Sequence, residues 1–199
     1  GGHAYLGVAP GTQPDVHLTQ MNFKCMDCHN MDELHGDGQP VEQRYAYSKL
    51  PSCDNCHSNE KSSNQYHSMH YDDFNCNVCH SQDYNNCGSC HVHGDGARIP
   101  AYVDFKIAGN PLPDLKPGFD FTVVRRNPAA PDNWEKYGVP EYANFNAFPT
   151  YNYASPHNLL RWTSRTQVES GNDCYSNCHI RNEGGTLINK DLYLFEDDL

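Results

Sequence analysis

The stretch Cys76–Gly96, CNVCHSQDYNNCGSCHVHGDG, decides the interpretation of the whole chain. It contains four cysteines and three histidines in twenty-one residues. Two copies of the pattern CxxCH account for most of them, and His93 follows two residues after the second copy. Such a density of thiols and imidazoles is typical of a site that holds metal or a metal-containing cofactor.

The pattern recurs along the chain, with one additional residue between the cysteines in the last copy. The paired cysteines are Cys25 and Cys28, Cys53 and Cys56, Cys76 and Cys79, Cys87 and Cys90, and Cys174 and Cys178; the histidines that follow are His29, His57, His80, His91 and His179. Disulfides or structural zinc sites would also use ten cysteines, but neither requires a histidine after every pair. CxxCH is the signature of covalent c-type haem attachment, so the sequence predicts five covalently attached haem c groups.

The spacing of the motif has a chemical reason. Residues three and four apart share one face of a helix, so both thiols reach one edge of a haem while the histidine supplies the proximal iron ligand. In Cys174–His179 a bulged turn would absorb the additional residue, because the cysteine and histidine remain adjacent.

Seven of the twelve histidines lie outside the motifs: His3, His17, His35, His67, His70, His93 and His157. They are enough to give every iron a second imidazole. Iron with two imidazoles has no open position for substrate, so the count favours electron transfer over catalysis. The four methionines are interpreted as apolar packing residues rather than ligands.

Several of these histidines are specific candidates for distal ligands. His35 and His93 each begin the sequence HGDG, whose glycines favour a tight turn, and the short separation of the third and fourth motifs directs His93 to the neighbouring haem. His67 and His70 lie one helical turn apart, and we expect at least one to bind iron. The remaining candidates are His157, expected to serve the fifth haem, and His17, eight residues before the first motif.

Composition also favours a core built from haem. Leu, Ile, Val and Phe make up 34 of 199 residues and the formal charge is −11, values typical of a disordered chain. Five haems would supply the missing apolar mass. The expected fold class is therefore a multihaem c-type cytochrome, mostly irregular coil with short helices and little sheet, wrapped around a stacked haem core.

A single pentahaem domain, residues 1–199, is expected, with five segments along it. They are an N-terminal arm (1–24), a four-haem segment (25–96), a haem-free loop-rich segment (97–156), a fifth-haem segment (157–180) and an acidic C-terminal tail (181–199). Two strand-like runs, Tyr102–Ile107 and Phe119–Val124, lie in the haem-free segment. The tail is expected to form a packed terminal strand or a solvated end.

Charge and hydropathy restrict the partners and the location. A net charge of −11 argues against nucleic acid and anionic lipid surfaces as partners. No apolar run is long enough for a transmembrane helix. Because haem c is attached outside the cytoplasm, we expect a removed signal peptide and an extracellular or periplasmic chain. The candidate partners of haem propionates, with surface exposure as the alternative, are Arg44, Arg125, Arg126, Arg161, Arg165 and Arg181.

The haem segments, residues 17–96 and 154–179, resemble one family. A CxxCHxH sequence at Cys87–His93, a histidine ahead of the first motif and Pro156-His157-Asn158 with Arg161 before the last motif are similar to the filament-forming extracellular cytochromes, the cytochrome nanowires of metal-reducing microbes. The resemblance implies a homopolymer with a continuous haem chain, in which a histidine of one subunit binds a haem of the next. The donors it suggests are His17 first and His3 second.

Two other functions stay open on the sequence. A soluble periplasmic pentahaem shuttle would pass electrons to a terminal reductase and keep all its ligands within one chain. An enzyme, such as a multihaem nitrite reductase, usually needs an open haem, sometimes with lysine in place of the motif histidine, and no CxxCK occurs. We therefore expect an electron-transfer protein rather than an enzyme, with redox proteins or extracellular acceptors as partners.

Overall fold

The computed structural model of the protein describes residues 6–7, 12–82, 104–126, 135–141, 143, 151–167, 170, 181–183, 186–188 and 194. Short helical elements occupy the first half of this part and a small sheet follows. The helices are α1 (Cys25–Cys28), α2 (Met31–His35), α3 (Gln65–His70) and α4 (Cys76–His80), with a π-helical turn at Val16–Gln20 and 3₁₀ turns at Arg44–Ala46, Cys53–Asn55, Glu60–Ser62 and Glu135–Tyr137. Helical turns thus carry the first three CxxCH motifs, as the sequence predicts.

A polar side chain fixes the start of most of these short helices. The side chain of Asn30 accepts a hydrogen bond from Glu33 N at the start of α2, Asn64 accepts from two backbone N–H groups at the start of α3, and Asn75 accepts from Asn77 N at the start of α4. Such caps satisfy donors that a helix leaves free at its first turn. They matter here because helices of four to six residues are too short to be stable alone.

The sheet consists of antiparallel strands β1 (Asp104–Gly109), β2 (Phe121–Arg126) and β3 (Tyr151–Tyr153), in that order. The two predicted strands are therefore present, each displaced by two residues toward the C-terminus. Strands β4 (Arg181–Glu183) and β5 (Thr186–Ile188) form a separate antiparallel pair. Within the acidic tail, Leu194 donates its N–H to the carbonyl of Ile107 at 2.8 Å, so at this residue the tail lies beside β1.

The apolar core of the described residues lies between the sheet and α4. Val78 from α4 packs with Phe105, Ile107, Val123 and Ala154, all of them less than a tenth exposed. The third motif is thereby packed against the apolar core of the described residues.

The rest of the first half has no such core. Among the described residues from 16 to 77, none is buried, and all four methionines are about half exposed or more. Ordering a residue costs roughly 1–2 kcal/mol in backbone entropy, which normally must be offset by burial of apolar surface. The described residues from 16 to 77 therefore have little of the apolar burial that would offset this cost.

Residues 157–166, which we call the closing segment, cover the C-terminal end of α4. Leu160 N donates to His80 O at 2.8 Å, and Thr163 Oγ1 donates to Cys79 O at 2.8 Å. The buried Arg165 guanidinium donates from Nε to Val78 O at 2.8 Å and from Nη2 to the carbonyl and hydroxyl of Ser81. Carbonyls that a helix leaves unpaired at its end are in this way satisfied by a segment about eighty residues away in sequence.

Candidate functional site

The thiols of the three described motifs are unbonded. None of Cys25, Cys28, Cys53, Cys56, Cys76 and Cys79 forms a disulfide, and the first four are exposed. Accessible free thiols are available to form covalent bonds with a ligand. Among the described residues, no group of three or more His, Cys, Asp or Glu side chains is arranged to hold a bare metal ion.

The histidines of these motifs are each adjacent to a histidine outside the motifs. The rings of His29 and His157 have centroids 6.0 Å apart, those of His57 and His17 are 6.2 Å apart, and those of His80 and His67 are 6.0 Å apart. Three motif histidines thus have three different partners. The angle between the ring planes is 16° in the first pair, 61° in the second and 67° in the third.

This separation matches the space that one metal atom needs between two imidazoles. A metal–nitrogen distance of roughly 2.0–2.1 Å, added to about 1.1 Å from nitrogen to ring centroid and doubled, gives roughly 6.3 Å. The observed separations of 6.0–6.2 Å agree with that value, so each pair of imidazoles could hold one iron between them.

In three of these six rings, Nδ1 lies within hydrogen-bonding distance of an oxygen acceptor. His29 Nδ1 lies 2.8 Å from both carboxylate oxygens of Glu33, and His80 Nδ1 donates to Leu160 O at 3.1 Å. His67 Nδ1 lies 3.0 Å from Glu60 O and 2.7 Å from Ser63 Oγ. An acceptor at Nδ1 fixes the tautomer and leaves Nε2 available to a metal.

At the third motif, burial of His80 also favours the neutral form of its imidazole. Desolvation is the largest cause that lowers the pKa of His80, and the nearby His67 and His57 lower it further. The imidazole is thereby kept neutral, which is the form that binds a metal.

The second and third motifs lie close to each other. The Glu60 carboxylate lies 3.9 Å from His57 Nδ1 and 3.7 Å from His67 Nδ1, so it stands between rings of two different pairs. The Cys53 thiol accepts a hydrogen bond from Cys76, which lowers the pKa of Cys53 to about 7 and raises the pKa of Cys76. The first cysteines of two motifs are therefore in contact.

The structure differs from the sequence-based assignment of two distal candidates. His17, the first nominee for a ligand donated to another subunit, lies beside His57 of its own chain. His157, expected to serve the fifth haem, lies beside His29 of the first motif. The closing segment explains the second difference, because it returns from the sheet to the first and third motifs.

The other candidates are placed as follows. Of the two histidines in α3, His67 is the one beside a motif histidine, whereas the His70 ring lies 5.5 Å from that of Phe74. His35 is exposed at the end of α2. The candidates that lie outside the described residues are Cys87, Cys90, His91, His93, Cys174, Cys178, His179 and His3.

Sequence reasoning did not identify the residues that support the ligands. Glu33 follows His29 by four residues and Glu60 follows His57 by three, so an acidic residue at helical spacing was the available signal. No comparable signal exists for the carbonyl of Leu160. Arg165, a candidate for a haem propionate, instead donates to the end of α4.

Comparison of the chain with protein-family models, with curated proteins and with solved structures gives no match. In the described part of the chain no helix has the length and hydropathy required to cross a membrane.

Proposed function

We propose that this protein is a pentahaem c-type cytochrome that conducts electrons through bis-histidine haems, as the subunit of an extracellular cytochrome filament. The observation that carries the proposal is the set of three histidine pairs, 6.0–6.2 Å between centroids, each joining one motif histidine to one histidine outside the motifs. Such pairing is expected if every motif holds one iron between two imidazoles.

The cysteine and histidine side chains would divide the work of holding haem. The two thiols of each motif would form thioethers that fix the ring, the motif histidine would be the proximal ligand, and His157, His17 and His67 would be the distal ligands of the first three haems. Iron held in this way supplies one-electron exchange. The acceptors at Nδ1 orient the rings and raise their basicity, which stabilises ferric iron.

The absence of buried residues between 16 and 77 in the described part of the chain supports the proposal independently. Five porphyrins would cover the exposed methionines and supply the apolar contact that this segment lacks. Glu60, which lies 3.9 Å from His57 Nδ1 and 3.7 Å from His67 Nδ1, would hold the ligands of the second and third haems near each other, as a chain of electron carriers requires.

One observation favours the alternative of a soluble periplasmic pentahaem shuttle. His17 has its partner in its own chain, which is the arrangement expected of a shuttle that contains all its ligands. In the filament, the ligand donated across the interface then becomes His3, the second nominee.

The test combines haem content with electron microscopy of the purified, detergent-free protein. Mass spectrometry should show five attached haems, and micrographs should show long uniform filaments. The variant His3→Ala should keep five haems and block filament growth, whereas Asp114→Ala, at an exposed aspartate that is not a candidate ligand, serves as the control and should polymerise normally. Discrete small particles from the wild-type chain would establish the shuttle instead, and a chain without haem would overturn both.

Binding of carbon monoxide to the reduced protein tests the exclusion of an enzyme. Six-coordinate haems with two imidazoles should bind little carbon monoxide. Stoichiometric, rapid binding at one haem of the wild-type protein would indicate an open position and contradict the electron-transfer proposal.

A further inference from the structure

Asp15 is an acidic side chain with no exposed surface. Its two carboxylate oxygens accept hydrogen bonds from two backbone N–H groups: Oδ1 from Leu18 at 2.5 Å and Oδ2 from Leu159 at 2.6 Å. The two donors are 141 residues apart in sequence, since 159 − 18 = 141. One carboxylate therefore joins the N-terminal arm to the closing segment.

Each donor lies next to a candidate distal ligand. Leu18 follows His17 directly in the π-helical turn, and Leu159 lies two residues after His157. The rings of these two histidines lie beside His57 and His29, which belong to different motifs. Asp15 is thus hydrogen-bonded beside one candidate ligand of each of two histidine pairs.

Further hydrogen bonds hold the backbone of this junction. Val16 N donates to Leu159 O at 2.8 Å, so both polar groups of Leu159 are paired with the Asp15–Val16 segment. Nearby, the Gln82 amide donates to Gln13 O at 2.6 Å and to the buried Asn158 at 2.5 Å. The Gln82 contacts connect the junction to the chain just after the third motif, and Asp15 supplies its carboxylate acceptor.

We propose that Asp15 is a shared positioning residue that holds the distal ligands of two different haems, His17 for the second and His157 for the first. The inference rests on the proposed function. A carboxylate suits this role because it offers two acceptors and no donor, matching two N–H groups that approach from separate segments. His67 belongs to α3, whose start is capped by Asn64, so the third haem does not depend on Asp15.

The test is the number of haems that bind carbon monoxide in the reduced holoprotein with Asp15→Ala. Loss of a charge-assisted hydrogen bond shifts an equilibrium by roughly tenfold, so the fraction of open iron should rise about tenfold at two haems. Ferric high-spin absorption should rise in parallel, and added imidazole should reverse both changes. Asp15→Asn retains one acceptor and should give a smaller effect, which also serves if the alanine variant fails to fold.

Combined variants identify the two haems. In a His17→Ala background, Asp15→Ala should open one further haem, and in a His17→Ala/His157→Ala background it should open none. Asp114→Ala, which removes an exposed aspartate from the β1–β2 connection, is the matched control and should leave all haems low-spin.

The proposal is overturned if Asp15→Ala opens one haem or none, or if it opens a further haem in the double-histidine background. Mass spectrometry of the wild-type chain separates the two levels of failure. Five attached haems with an unresponsive Asp15 would reject the positioning role alone, whereas a wild-type chain without haem would reject the proposed function.

Discussion

In the proposed cytochrome, the angles between paired imidazoles predict that the first haem would differ electronically from the second and third. Each axial imidazole donates π density to the iron d orbital perpendicular to its plane, so two rings split the dxz and dyz orbitals in proportion to the cosine of the angle between them. The angles of 16°, 61° and 67° give relative splittings of about 0.96, 0.48 and 0.39, as a consequence of axial-ligand geometry alone. The first haem should have about twice the splitting of the other two.

The perturbation is His157→Ala, with His67→Ala as its matched comparison. Each substitution removes one of five low-spin irons and creates one high-spin iron, provided that five motifs hold five haems. Subtraction of the variant spectrum from the wild-type spectrum isolates the lost haem, whatever the other four contribute.

Electron paramagnetic resonance of the oxidised protein measures the result. The spectrum lost with His157→Ala should be a rhombic low-spin signal, and the spectrum lost with His67→Ala should be the strongly anisotropic type that nearly degenerate orbitals produce. Identical difference spectra, or the reverse assignment, would refute the reasoning from ring planes. Absence of a high-spin signal in both variants would refute the ligand assignments.

Three further predictions concern the groups that support the ligands. Arg165→Met leaves the carbonyls of Val78 and Ser81 without their Arg165 donors, so it should lower the free energy of unfolding by roughly 2–5 kcal/mol. Denaturant unfolding measures the loss, and Arg165→Lys should recover part of it. An unchanged unfolding midpoint would contradict the role of the closing segment. Glu33→Gln weakens the hydrogen bond to His29 Nδ1 and should raise the reduction potential of one haem by about 60 mV, the equivalent of one charge-assisted hydrogen bond. A redox titration measures the shift. Glu60→Gln should have a smaller effect, because its carboxylate lies 3.7–3.9 Å from the His57 and His67 rings. Gly7→Ala should lower the melting temperature more than Gly36→Ala, because both have positive φ but only at Gly7 would a Cβ overlap the Gln13 carbonyl; equal shifts would show that backbone strain alone decides.

The sequence predicts the elements and chemistry that depend on neighbouring residues. The helical turns at the motifs follow from CxxCH spacing and from caps such as Asn75. Two of the three strands of the main sheet, β1 and β2, follow from runs of apolar and β-branched residues, with an error of two residues. The covalent cofactors, the fold class built around them and the filament remain predictions.

The assignment of ligand pairs could not be obtained in the same way. His157 lies closest in sequence to the fifth motif, yet the closing segment places it beside His29. Its path depends on contacts of Asp15 and Arg165 with backbone atoms, and a backbone carbonyl or N–H carries no residue-specific signal. The family resemblance suggests His17 for another subunit because a terminal arm can reach across an interface, whereas in the structure His17 lies in a π-helical turn beside His57 of its own chain.

The closing segment also has a consequence for the order in which the protein matures. It joins Asp15 to Leu159 across 144 residues and Cys79 to Thr163 across 84, so the earliest-synthesised motifs gain their last contacts from a late part of the chain. Contacts between distant residues form slowly because a long loop must close first. In the proposed cytochrome the motif thiols would accordingly stay open to haem attachment until the closing segment arrives, and its arrival would complete the first and third sites together.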